Sequence, residues 1–128
     1  MTRNDSDVHT LMGKLTTHVL DTYTGRPAAG LRIELHEETD AGRVPIAEST
    51  TGADGRCGAP LIDGIRFHKG RYSLTFHVGD YFRARGVALP DPAFLENVIV
   101  PFGIATPEEN YHVPLIVTPW SYSVYRGS

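Results

Sequence analysis

Six histidines, His9, His18, His36, His68, His77 and His112, are the side chains of this sequence best suited to moving protons near neutral pH. No pair falls into an HExxH pattern, and no Cys/His pair has zinc spacing, so no metal centre is expected. His9 stands in a polar leader and His68 in a turn beside Lys69 and Gly70. His36 and His77 lie on the polar faces of alternating runs and are expected to be solvated. His18 and His112 differ, because each sits mid-run among residues that should be buried. Taken singly, either is most simply a hydrogen-bonded structural histidine. Placed on one surface, they become an acid–base pair.

There is no GxSxG elbow and no Ser-His-Asp order, so a hydrolase built from this chain would have to activate water directly. That needs a base poised near neutrality, which suits histidine. It also needs a cation to hold an anionic or carbonyl-rich substrate, which suits the planar fork of arginine. Two histidines with one or two arginines would suffice, without metal or cofactor. The one cysteine, Cys57, lies in a Gly/Pro-rich stretch (TGADGRCGAP) with no CxxC partner. It cannot form an intramolecular disulfide and is compatible with a reducing compartment. Arg56 beside it would favour the thiolate, but an incidental small residue is the plainer reading.

The 128 residues predict one domain, with a leader over 1–13 and the folded domain over 14–128. Hydrophobic residues at 41% and charged residues at 21% fit a globular chain able to bury a core without disulfides. A net charge of −3 and the lack of any Lys/Arg-rich run argue against a nucleic-acid partner. No apolar run of roughly 20 residues occurs, so no membrane span is expected. The polar N-terminus lacks a signal-peptide core, and the final Arg-Gly-Ser is not a peroxisomal address, which leaves the cytoplasm as the expected compartment.

The elements that must position these groups read as short strands. Leu15, Thr17 and Val19 alternate with Thr16, His18 and Leu20. Leu31, Ile33 and Leu35 line one face opposite Arg32, Glu34 and His36. A weaker run spans 44–51 and ends at the turn signal Gly52-Ala-Asp54-Gly55. Tyr72, Leu74, Phe76 and Val78 oppose Ser73, Thr75 and His77. One short helix follows, with Asp80 as expected N-cap and Gly86 as its stop. Strands over 97–104, 111–118 and 120–126 close the chain. Seven to eight such strands predict an all-β sandwich of two sheets.

The strand over 111–118 is anomalous. Val113, Leu115 and Val117 would face the core, yet Pro114 and Ile116 on the other face are apolar too. Pro114 predicts an edge position or a bulge. A second buried surface, as between subunits, is the expectation, with a loop folded over that face as the alternative. The terminal Tyr125-Arg126-Gly127-Ser128 looks like a fitted part rather than a frayed end.

Leu15-Thr-Thr-His-Val-Leu-Asp21 with Gly25-Arg-Pro-Ala28, then Thr51-Gly-Ala-Asp-Gly-Arg56, then Tyr111-His-Val-Pro-Leu115 and Tyr125-Arg-Gly-Ser128 form three blocks in order. Together they resemble the transthyretin-like 5-hydroxyisourate hydrolases, over nearly all of residues 14–128. The resemblance implies a transthyretin-like two-sheet β-sandwich with one short helix. It implies a homotetramer whose sites lie at the dimer–dimer interface, and neither metal nor cofactor. It carries the catalytic roles onto His18, Arg56 and His112, and substrate contacts onto His18, Arg56, Tyr125, Arg126, Gly127 and Ser128. The sequence departs from the family pattern at Asn110, Thr118 and Val124, positions expected to bear on the channel wall.

The implied reaction opens the six-membered ring of 5-hydroxyisourate to a ureidoimidazoline carboxylate in urate breakdown. Arg56 would hold a carbonyl or anionic edge, and either His18 or His112 would take a proton from water. Arg56 would also help keep a neighbouring histidine neutral. Two rivals belong to other classes. One is a hormone carrier of the transthyretin kind, whose channel wants apolar walls; the other is a structural sandwich in which both histidines are only satisfied core groups.

Overall fold

The computed structural model describes residues 12–127. Residues 1–11 of the expected leader, and Ser128, lie outside them. Gly13 is already packed, with its N–H bonded to the Pro107 carbonyl at 2.8 Å. Nine strands form two sheets: β1 (Lys14–Asp21), β2 (Arg26–Pro27), β3 (Arg32–Thr39), β4 (Gly42–Thr50), β5 (Ile62–Asp63), β6 (Gly70–Phe76), β7 (Val98–Ile104), β8 (Tyr111–Val117) and β9 (Tyr122–Val124). One sheet runs β2-β1-β8-β9, with β5 also on β1; the other runs β4-β3-β6-β7. Nine exceeds the expected seven or eight because the two-residue β2 and β5 also pair with β1.

The core fills the space between the sheets in period 2. Leu15 and Val19 from β1, Ile33 and Leu35 from β3, Leu74 and Phe76 from β6 and Leu115 from β8 are all fully buried. Thr17 joins them by donating its hydroxyl to the Val113 carbonyl at 2.7 Å. Burying a Leu, Ile or Phe side chain contributes roughly 1.5–3 kcal/mol each, so this alternation drives the sandwich together.

The helix α1 (Val78–Ala84) begins three residues before the start that Asp80 as N-cap predicts. His77 is its N-cap, and Asp80 sits in the first turn, where its charge faces the positive end of the helix. Burial sets the earlier start, because Val78, Gly79, Tyr81 and Phe82 all pack inward. Gly86, at φ +81°, ends it as expected.

His36 and His77 are not solvated as expected: only 15% of each side chain is exposed, and both face Glu34. His77 Nε2 lies 2.5 Å from Glu34 Oε1, and that bond holds the Glu34 carboxyl below its usual range. Arg43 lies across the same face and donates to Ser73 and Thr75, which explains why these two polar side chains are buried.

β8 pairs with β1 in parallel along its whole length, from Leu15↔Tyr111 to Asp21↔Val117. The opposite edge of β1 is closed by three short pieces: β5 at Lys14 and Leu15, a single bridge from Arg56 at His18, and β2 at Leu20 and Asp21. Among the described residues, no helix is long and apolar enough to cross a membrane.

Candidate active site

The parallel register between β1 and β8 puts Thr16 beside His112 and His18 beside Pro114. Strand alternation then turns Thr16, His18, His112, Pro114 and Ile116 to the outer face of that sheet, away from the core. Arg56 joins them from the far edge of β1. Its loop is sewn down by the Val19 N–H bond to the Gly55 carbonyl (2.9 Å) and by Gly52 donating to the Arg56 carbonyl (2.8 Å). Gly55 is required there twice over. Its φ is +78°, and a Cβ would stand 2.5 Å from the Val19 carbonyl and 3.2 Å from His18 Cδ2.

His112 is held from two sides. Thr16 Oγ1 is 2.8 Å from its Nδ1, and a Cβ on Gly127 would stand 2.8 Å from its Cδ2. The Gly127 N–H also donates to the His112 carbonyl at 2.7 Å, which fastens the tail to β8. Burial pushes the His112 imidazole below its ordinary pKa, and the charges of Arg56 and His18 push it the same way. The structure thus brings His18, Arg56 and His112 onto one surface, with two imidazoles beside a guanidinium. A depression of about 260 Å³ opens beside them, between Arg56, Thr16 and the half-buried Cys57.

The tail residues divide. β9 pairs with β8 only as far as Leu115↔Val124, and pairing resumes at His112↔Gly127, so Pro114 sits in a gap of that ladder. On its other side β8 pairs with β1 in unbroken register, so Pro114 is neither on an edge strand nor in a bulge against β1, contrary to the expectation from its type. Arg126 turns away from the histidines. Its guanidinium lies 4.0 Å from the centre of the Tyr111 ring and donates to the Asn110 carbonyl (3.1 Å) and to Glu109 (3.4 Å). Tyr125 is 56% exposed. It and Arg126 line a separate apolar hollow of about 240 Å³ between β7 and β9.

The three departures from the family pattern have local uses. Asn110 Oδ1 accepts from the Lys14 N–H at 3.2 Å, and Thr118 Oγ1 accepts from Trp120 and Ser121 to close the β8–β9 turn. Val124 packs against the core.

On the outer face, Gly127 lies against Pro114, whose Cγ is 3.3 Å from where a Cβ on residue 127 would stand. Leu20 and Ile116 remain half-buried. A chain segment therefore covers part of this face and leaves the rest open. Two residues that composition and motif did not single out now belong to the picture. Thr16 has no signal without the β1–β8 register. Asp21 is fully buried and accepts four hydrogen bonds, from the Tyr23 and Thr24 N–H groups, the Thr24 hydroxyl and the Tyr81 hydroxyl. Burial and this contact with Asp21 push Tyr81 up to about 12. Among the described residues, no group of three or more His, Cys, Asp or Glu side chains is arranged to hold a metal ion.

This arrangement has close relatives. The chain is 56% identical over 117 residues to a protein of Ralstonia nicotianae named 5-hydroxyisourate hydrolase, covering 91% of this chain and 100% of that one. Its fold is similar to the solved 5-hydroxyisourate hydrolase of Klebsiella pneumoniae, with TM-score 0.76 and 32% identity over 91% of this chain and 100% of that one. Transthyretin from Sparus aurata superposes with TM-score 0.79 but only 26% identity, over 89% of this chain and 96% of that one. Residues 15–127 match the HIUase/Transthyretin family, and by that match and the identity to its hydrolases the chain belongs to this family.

Proposed function

We propose that this chain hydrolyses 5-hydroxyisourate to 2-oxo-4-hydroxy-4-carboxy-5-ureidoimidazoline in urate degradation, using the face formed by His18, Arg56 and His112. The observation that carries this is the convergence of His18, Arg56 and His112 on one sheet face through the β1–β8 register and the Arg56 bridge at His18, where burial and the guanidinium keep the His112 imidazole below its ordinary pKa. Such a group is neutral at physiological pH and ready to accept a proton. Arg56 binds a carbonyl or anionic edge of the planar substrate and stabilises charge on the attacked oxygen. A carrier reading is less well supported. The 56% identity is to a hydrolase and the likeness to transthyretin is 26%, while the face in question carries proton-transferring groups rather than apolar walls.

The domain over 14–128 works as a homotetramer in the cytoplasm, with sites where two dimers meet. Half-exposed Leu20 and Ile116 beside the catalytic face support this assembly. Gly127 completes the site by packing on His112. The test generates 5-hydroxyisourate in situ from urate with urate oxidase and follows its ultraviolet decay against the uncatalysed rate. His18→Asn and His112→Asn should each lower turnover by about a hundredfold or more, the scale for losing a general acid or base. Decay at the background rate with the wild-type protein would leave a carrier as the better reading.

A further inference from the structure

We propose that Thr16 is a positioning residue that fixes the proton of His112 on Nδ1. Nε2 is then the lone pair that takes the proton from water, and His112, rather than His18, is the base. The role of Thr16 rests on the hydrolytic activity proposed above. Two observations carry it. First, Thr16 Oγ1 lies 2.8 Å from His112 Nδ1, while no described residue makes a hydrogen bond to the His18 ring. Second, Gly127 occupies the Cδ2 edge of the same ring, at 2.8 Å from its own missing Cβ. With one edge bonded and the other packed, only Nε2 and Cε1 are left open. A neutral imidazole that accepts a proton at the open Nε2 carries its own proton on Nδ1, where the Thr16 hydroxyl oxygen stands ready to accept it.

An imidazole that donates from Nδ1 presents a fixed lone pair at Nε2. A hydroxyl here does what a carboxylate does in other acid–base histidines. In the reaction, Nε2 takes one proton from water as the water oxygen bonds to the lactam carbonyl carbon. The ring C–N bond then breaks, and the imidazolium returns that proton to the leaving nitrogen. One water is added, and His112 ends neutral with its proton again on Nδ1.

Two variants and one spectrum test this. Thr16→Val keeps the β-branched shape that suits a strand but removes the hydroxyl, and Thr16→Ser keeps the hydroxyl. Loss of orientation should lower kcat about tenfold in Thr16→Val with KM within about twofold, while Thr16→Ser stays near wild type. Two-bond ¹H–¹⁵N correlation on the folded wild type should show the His112 proton on Nδ1, and a mixture of tautomers in Thr16→Val. A wild-type spectrum with the proton on Nε2 overturns the assignment whether or not the protein is active. Wild-type kcat in Thr16→Val, or equal impairment of both variants, overturns it as well. A wild type that shows the Nδ1 proton but no hydrolysis would instead overturn the proposed activity.

Discussion

His112 shows how a residue's chemistry is set by its neighbours. Burial, then Arg56, then His18 all disfavour its protonated form, and the Thr16 contact only partly opposes them. The acid limb of kcat/KM should therefore lie below about 6.5, the ordinary imidazole value. Arg56→Gln removes a nearby positive charge, so it should raise the His112 pKa and move that limb to higher pH, even as the rate falls. A ring titration by NMR reads the same shift directly, and a limb unmoved by Arg56→Gln would remove the guanidinium from the account. Stability follows the same sign. With its pKa lowered on folding, His112 binds fewer protons in the folded chain than in the unfolded one. Stability therefore falls as pH drops below the ordinary value toward the folded one. The types of His18, Arg56 and His112 were legible in the sequence. Their partner Thr16 was not, since it stands 96 positions from His112 and only the pairing of β1 with β8 joins them. The side taken by Arg126 was equally hidden, because a cation over Tyr111 and a cation facing substrate leave the same residue in the same tail.

At the scale of elements, the loop that carries Arg56 is held by an edge rather than by a long strand. β1 offers its outer edge to β5, Arg56 and β2 in turn, so Arg56 is placed by the hydrogen bond that the Val19 N–H donates to the carbonyl of its neighbour Gly55. Gly55→Ala should be costly here. A left-handed backbone at a non-glycine residue costs roughly 1–2 kcal/mol, and the new methyl would meet the Val19 carbonyl at 2.5 Å. The loop would have to move, and a shift of about 1 Å is enough to lower kcat/KM about a hundredfold. Urea unfolding separates the two losses, since destabilisation alone leaves the rate of the folded fraction unchanged. Full activity in a folded Gly55→Ala would show that the loop need not sit so close to β1. The longer strands were readable because each has one dry face and one wetter one, as in Leu31, Ile33 and Leu35 against Arg32, Glu34 and His36. β2 and β5 were not, because two residues carry no period. The early start of α1 was missed for a related reason: burial of Val78 and Gly79 decided it, and the N-cap preference of Asp80 did not.

At the scale of the whole molecule, the apolar surface and the proposed catalytic surface are one surface. Leu20 and Ile116 stand on the same sheet face as His18 and His112, so a copy of the chain docked there would also exclude water from the histidines. Withdrawing water strengthens the interaction of Arg56 with charge developing on the substrate, which ties assembly to rate. Ile116→Asp places a charge on that face without touching the core, because Ile116 lies on the opposite side of β8 from Leu115 and Val117. An unpaired charge at a buried contact costs several kcal/mol, enough to dissociate an interface of ordinary affinity. Sedimentation velocity should therefore show the variant as smaller species, and its specific activity should fall at least about tenfold, with water readmitted to the site. Dilution of the wild type should produce the same fall as the assembly comes apart, whereas a site complete in one chain would keep its rate at every concentration. An Ile116→Asp variant with wild-type mass and wild-type rate would mean that this face serves a single chain, and that the half-buried Leu20 and Ile116 have some use other than assembly.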